Sequence, residues 1–206
     1  MPRTFAPDAM PPDEALTRLR DGNKRFLAGD GSAVRSWRPG LGEGQWPFAV
    51  VLGCADSRAP AEYVFDQGLG DLFVIRVAGN IVAPSLVGSV EFAASQFGTR
   101  LVVVMGHTRC GAVQATLDAL LRGGKPVSPN LDSIVRRIRP HVQDLFSLKE
   151  GREPDLTTAV RANALASARE LRSASPIVQS LVEGGRVVIV AAVYDLDTGV
   201  VTFLDP

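Results

Sequence analysis

Apolar residues gather in four short runs that are nearly continuous rather than alternating: Phe48 to Gly53 (FAVVLG), Leu72 to Val77 (LFVIRV), Leu101 to Gly106 (LVVVMG) and Val187 to Tyr194 (VVIVAAVY). Runs of this length, rich in Val and Ile, read as strands buried on both faces, the mark of a parallel sheet. Between and after them the spacing predicts helices over Ser85 to Phe97, Gly111 to Leu121, Leu131 to Phe146 and Leu156 to Leu171, followed by Pro176 to Val182. Alternation of strand and helix makes the fold class α/β, with a mostly parallel central sheet flanked by helices and right-handed crossovers. Asp197 to Gly199 reads as a turn, so Val200 to Leu204 is expected to return as an antiparallel edge strand.

Ahead of the sheet, Ala15, Leu16, Leu19, Phe26 and Leu27 recur at helical spacing from Pro12 to Leu27, with Asp13 placed to cap and Gly29 to stop. This arm, residues 1–30, can pack on its own domain or reach across to a second subunit, and the pattern leaves both open. Gly31 to Pro47, rich in Gly, Pro and Ser without a period, reads as a connecting loop.

A length of 206 residues favours one domain over the whole chain, 1–206. Hydrophobic residues at 46% and charged residues at 21% exclude the low-hydrophobicity signature of disorder. A net charge of +0 gives no broad electrostatic reason to bind nucleic acid or an anionic membrane, and points to a small, uncharged partner. The opening MPRTFAPDAMPP lacks the apolar stretch of a signal peptide, and no later run approaches membrane-spanning length, so a cytoplasmic location is expected.

Chemistry enters with the 2 cysteines. In a reducing compartment they suggest metal or redox chemistry before a disulfide, although either alone reads equally as a buried thiol. Their neighbours decide. Cys54-Ala55-Asp56-Ser57-Arg58 follows the first buried run, and His107-Thr108-Arg109-Cys110-Gly111 follows the third; open α/β sheets place ligands beyond such strand ends. If these strands are neighbours, Cys54, His107 and Cys110 converge. Two thiolates and a neutral imidazole suit zinc, and three protein ligands leave the open fourth position of a catalytic site. Asp56 is placed to accept a hydrogen bond from zinc-bound water, and Arg58 to keep that carboxylate ionised and off the metal. His141, the only other histidine, reads as an ordinary surface or packing residue.

These motifs resemble the β-carbonic anhydrases. CADSR is similar to that family's Cys-x-Asp-x-Arg signature and GHTRCGA to its Gly-His-x-x-Cys-Gly block, with further likeness in the segment from Gly70 to Arg76 and in Ala78-Gly79-Asn80. The resemblance implies one zinc at Cys54, His107 and Cys110, Asp56 and Arg58 as the catalytic pair, and a homodimer or homotetramer with sites near a subunit interface. It further implies that Gln45 contacts substrate across that interface, that Phe73 lines the same apolar pocket, and that the Gly111 N–H meets a substrate or bicarbonate oxygen. Two departures stand out. A subgroup with a noncatalytic bicarbonate site carries tryptophan three residues before the first cysteine, where this chain has Val51, so that inhibitory pocket is expected to be absent and the resting zinc to hold water. Val77 stands where many relatives have asparagine, and nothing physical explains it.

The activity implied is reversible hydration of carbon dioxide to bicarbonate and a proton, by a zinc-bound hydroxide formed as the metal brings the pKa of its water to about 7. The same chemistry permits hydrolysis of carbon disulfide or carbonyl sulfide. A different class, a non-catalytic zinc-stabilised binding or regulatory module, would have Asp56 as a permanent fourth ligand, which Arg58 argues against. A Cys-dependent phosphatase is disfavoured, since Cys54 to Arg58 is too tight and too poor in glycine to wrap a phosphate.

Overall fold

The computed structural model describes residues 9–31, 37, 39–123, 128–147 and 154–204. Five strands, β1 (Ala49–Gly53), β2 (Leu72–Arg76), β3 (Leu101–His107), β4 (Val188–Tyr194) and β5 (Val201–Leu204), form one sheet in the order β2-β1-β3-β4-β5. The first four run parallel and β5 pairs antiparallel with β4, as the apolar runs and the turn before Val200 anticipate. β1 and β3 are buried at every position. At the sheet edge, β2 is only partly covered.

The helices are α1 (Pro12–Ala28), α2 (Ala61–Val64), α3 (Pro84–Phe97), α4 (Gly111–Arg122), α5 (Pro129–Val142), α6 (Asp144–Ser147), α7 (Leu156–Arg172) and α8 (Pro176–Glu183). One face of the sheet carries Val50, Leu52, Val102, Val104 and Ile189 against residues of α3, α4, α5, α7 and α8. The other face is thinner, with Val51, Val103 and Met105 packed against Ala15 and Leu19 of α1 and Ala61 and Val64 of α2. On the thick face α7 lies directly on β3: a Cβ at Gly106 would sit 3.3 Å from Val160 Cγ1 and 3.4 Å from Ala164 Cβ, so the bare backbone permits the approach.

Helix α1 of the arm packs on its own sheet. Gly22 presses so close to Phe65 that a Cβ there would fall 1.8 Å from the Phe65 carbonyl oxygen. Asn23 then acts as a bolt: its Nδ2 donates to Val64 O and Gly199 O, each at 3.0 Å, and its Oδ1 accepts from Val201 N at 3.0 Å. Arg25 adds an ion pair to Asp66 at 2.6 Å, and Gly29, with φ 74°, ends the helix.

Two differences from the sequence expectation are local. The helix expected over Leu131 to Phe146 starts earlier, because Ser128 caps it by accepting from Leu131 N at 3.2 Å and Pro129 suits the first turn; it breaks at Gln143 into α5 and α6. The four residues of α2 are too few to have shown a period. Part of the loop expected over Gly31 to Pro47, residues 32–36 and 38, lies outside the described residues, as do residues 1–8 of the arm. Among the described residues no helix is long and apolar enough to cross a membrane.

Strand order fixes where a ligand can go. The chain leaves β1 to one side to make β2, then returns past it to make β3, so the order reverses between β1 and β3. A crevice opens at such a switch point, beyond the carboxyl ends of the two strands.

Candidate metal centre

Both motifs meet in that crevice. Gly53 pairs with Met105, so Cys54 leaves β1 beside the last residues of β3. His107 ends β3, and Cys110 is the residue on which α4 begins. The turn between them is tight enough to force Arg109 to φ 57°, a left-handed conformation unusual for a residue with a side chain. It is held by Thr108, whose N–H donates to Tyr194 O at 2.9 Å and whose hydroxyl accepts from Leu196 N at 2.9 Å, and by the Arg109–Asp197 ion pair at 2.6 Å. The result turns Cys110 back toward the strand ends.

Cys54 Sγ, Cys110 Sγ and a ring nitrogen of His107 lie within 4.8 Å of one another, all three residues being buried, and the two sulfurs are 4.0 Å apart. His107 Nδ1 is 2.9 Å from Thr108 O, so Nδ1 carries the proton and Nε2 presents its lone pair. Among the described residues Nε2 is buried without a hydrogen-bond partner.

By themselves these donors cannot all take their ligating form. The Cys110 thiol beside it, against the cost of burial and helped by His107 and the N–H groups of Gly79 and Asp56, holds Cys54 down at about 4. Cys110 is driven the other way, by the sulfur of Cys54 and by burial. Burial draws His107 toward neutrality, but Cys54, the Thr108 carbonyl and Asp56 together outweigh it and raise its pKa. Two thiolates this close repel, and a divalent cation shared with the imidazole resolves the conflict. The residues therefore fit a metal, and the soft donor set with an orphaned imidazole nitrogen fits zinc.

Asp56 stands at the rim. Its Oδ1 accepts from Arg58 N and Arg58 Nε, each at 2.9 Å, and its Oδ2 from the Arg58 guanidinium at 2.8 Å. This paired grip holds the Asp56 carboxyl well below the usual carboxylate range. Oδ2 is 3.8 Å from His107 Nε2, yet the carboxylate is not one of the three mutually adjacent donors.

Of the weaker site residues, Gly111 opens α4 beside Cys110, exposed and with nothing within 4 Å of the place a Cβ would take. Gln45 and Phe73 are not brought to this crevice within the chain. Gln45 is exposed and precedes the start of β1, so the length of that strand, about 16 Å, separates it from Cys54. Phe73 pairs with Val50 and packs against Phe92 and Phe97, at ring separations of 6.2 Å and 6.0 Å. Val51, at the tryptophan position of the other subgroup, is fully buried in β1.

Sequence reasoning missed the supports. Arg76 clamps the first motif from below, with Nε 3.0 Å from Cys54 O and a terminal nitrogen 2.5 Å from Asp56 O. A charged residue closing an apolar strand was the signal for it. Gly79 N donates to Cys54 Sγ at 3.3 Å, and a backbone donor leaves no side-chain signature.

A strand-switch crevice holding two buried thiols, an imidazole and a restrained carboxylate is an α/β enzyme site whose donors fit a metal. Comparison with known proteins narrows this. The family model described as carbonic anhydrase matches residues 49–201. The carbonic anhydrase of Mycolicibacterium smegmatis is 41% identical over 192 residues, covering 91% of this chain and 91% of that protein. Carbonic anhydrase 2 of Mycobacterium tuberculosis is 38% identical over 191 residues, covering 91% and 90%. Among solved structures, the beta-carbonic anhydrase CcaA superposes with a TM-score of 0.71 at 28% identity, covering 93% of this chain and 92% of that one. The chain belongs to the carbonic anhydrase family, in its β class: a lyase fold for carbon dioxide hydration.

Proposed function

We propose that Cys54 Sγ, His107 Nε2 and Cys110 Sγ hold one zinc ion per chain, and that Asp56 and Arg58 complete a site for reversible hydration of carbon dioxide to bicarbonate and a proton. The observation that carries this reading is the buried, unpartnered Nε2 of His107 beside two thiol sulfurs. When bound, zinc supplies Lewis acidity enough to bring a coordinated solvent molecule to a pKa of about 7.

The chain's own residues do the rest. The Asp56 carboxylate, ionised through its Arg58 partner, accepts a hydrogen bond from the attacking oxygen and so aims a lone pair at the substrate carbon. Arg58 competes for both carboxylate oxygens, which supports a resting site open to solvent rather than closed by Asp56. The N–H of Gly111, at the start of α4, is placed to steady a developing bicarbonate oxygen. Proton export falls to water or buffer, since His107 is a ligand and His141 is engaged with Asn163 and Glu170.

Gln45 and Phe73 lie toward the other end of β1 and β2, so their part in binding substrate needs a second copy of the chain. We read the working unit as a homodimer or homotetramer of one-domain chains that lend these residues to one another. Two free cysteines at metal-ligand spacing fit a cytoplasmic location. Metal analysis with stopped-flow carbon dioxide hydration across pH tests the whole reading. It predicts one zinc per chain and a rate rising toward alkaline pH; full zinc loading with no hydration at any pH contradicts it.

A further inference from the structure

The loop that supports Cys54 is itself held from a distance. Gly79, with φ 71°, sits in the turn Ala78–Asn80, so tightly seated that a Cβ would fall 2.6 Å from Ile138 Cδ1 of α5 and 3.1 Å from Ala112 Cβ of α4. Its N–H donates to Cys54 Sγ, while its carbonyl oxygen accepts from Asn163 Nδ2 at 2.9 Å. Asn163 is fully buried on α7. Because its nitrogen must face the Gly79 carbonyl, its oxygen faces His141 Nδ1, 2.9 Å away on α5, which fixes the proton on that ring nitrogen. His141 Nε2 in turn lies 3.4 Å from Glu170 Oε2. A continuous chain of polar contacts thus runs from the half-exposed Glu170 to the sulfur of Cys54.

We propose that Asn163, oriented by His141, is a positioning residue for the metal: it seats the Gly79 turn so that one backbone N–H is aimed at the Cys54 thiolate. This rests on the reading of Cys54 as a zinc ligand. An N–H directed at a ligating sulfur pins its place and withdraws electron density from it, as outer partners of metal ligands do elsewhere. Asn163 touches neither metal nor substrate and acts wholly through the turn.

The test compares Asn163→Asp, which keeps the shape but replaces the donor by an acceptor facing the Gly79 carbonyl, with His141→Gln, a milder change, and Cys54→Ser. Zinc affinity is measured by competition with a chelator. The sulfur-to-cobalt charge-transfer absorption is measured on protein loaded with cobalt(II) alone, and Tm is recorded beside both. Asn163→Asp is expected to weaken zinc binding by about 10- to 100-fold and to shift the cobalt band, with His141→Gln between it and wild type. If Asn163→Asp does not fold, the band and affinity of His141→Gln decide. Variants that lose Tm but keep the wild-type band and an affinity within about two-fold overturn the positioning role while Cys54→Ser still loses metal. Retention of wild-type metal content and band by Cys54→Ser overturns the ligand reading, and the inference with it.

Discussion

The two histidines of this chain stand in similar surroundings and end differently. His107 and His141 are both largely shielded from solvent, and each has its Nδ1 engaged, with Thr108 O and with Asn163 Oδ1. At His141 the second nitrogen finds the Glu170 carboxylate; at His107 it finds no protein partner among the described residues and faces two sulfurs. A buried polar atom left without a partner is costly, and at His107 the neighbouring sulfurs make a metal the partner that fits. The satisfied histidine is tied into the fold, and the orphaned one is the nitrogen that the proposed metal would engage.

Breaking the orphaned side should have the largest effect. Cys110→Ser removes one of the two thiolates, and purified protein is expected to lose its zinc and with it hydration above background, read by metal analysis and stopped flow. Asp56→Asn keeps the three donors and should keep the metal, while kcat falls by about 10²-fold or more because the attacking oxygen loses the ionised hydrogen-bond acceptor that orients it. Unchanged kcat in that variant would remove Asp56 from the mechanism.

The satisfied side also shows in stability, where its effects are smaller. Asn23→Ala strips partners from Val64, Gly199 and Val201 at once, and denaturant unfolding should show a loss of about 2–4 kcal/mol, at roughly 1 kcal/mol for each bond. His141 gives the smallest change in stability. Burial pulls its pKa down, but Glu170 and Asn163 outweigh that and raise it above the usual 6.5. A raised value means that the stabilisation is fully present below the unfolded-state pKa and fades as pH climbs through the folded one. Tm should therefore lose some of its decline above about pH 6.5 in His141→Gln; an identical Tm profile in the variant would show that the Glu170 contact contributes nothing.

The same contrast explains what could be read from the residues alone. β1 and β3 were legible because their unbroken apolar runs suit strands buried on both faces, and Cys54, Asp56, Arg58, His107 and Cys110 because short motifs just past such strands carry their own spacing. Their union needed only that β1 and β3 be neighbours, which the strand order supplies. The supports were not legible, since they work through backbone atoms or over long separations. Gly79 acts by its N–H, Arg76 by gripping two carbonyl oxygens, and Asn23 joins positions up to 178 residues apart. His141 reads as ordinary because its partners, Asn163 and Glu170, come from α7, a helix whose pattern reports only its apolar face. Nor could the pattern choose a home for α1; the bare backbone of Gly22 against Phe65 is what seats it on its own sheet.

X-ray absorption at the zinc edge of the purified protein addresses the central claim most directly. Two sulfurs at about 2.3 Å with about two nitrogen or oxygen neighbours at about 2.0–2.1 Å is the expected shell, one of the lighter atoms exchanging with solvent. A shell without sulfur, or protein that takes up no zinc, would contradict the assignment of Cys54, His107 and Cys110.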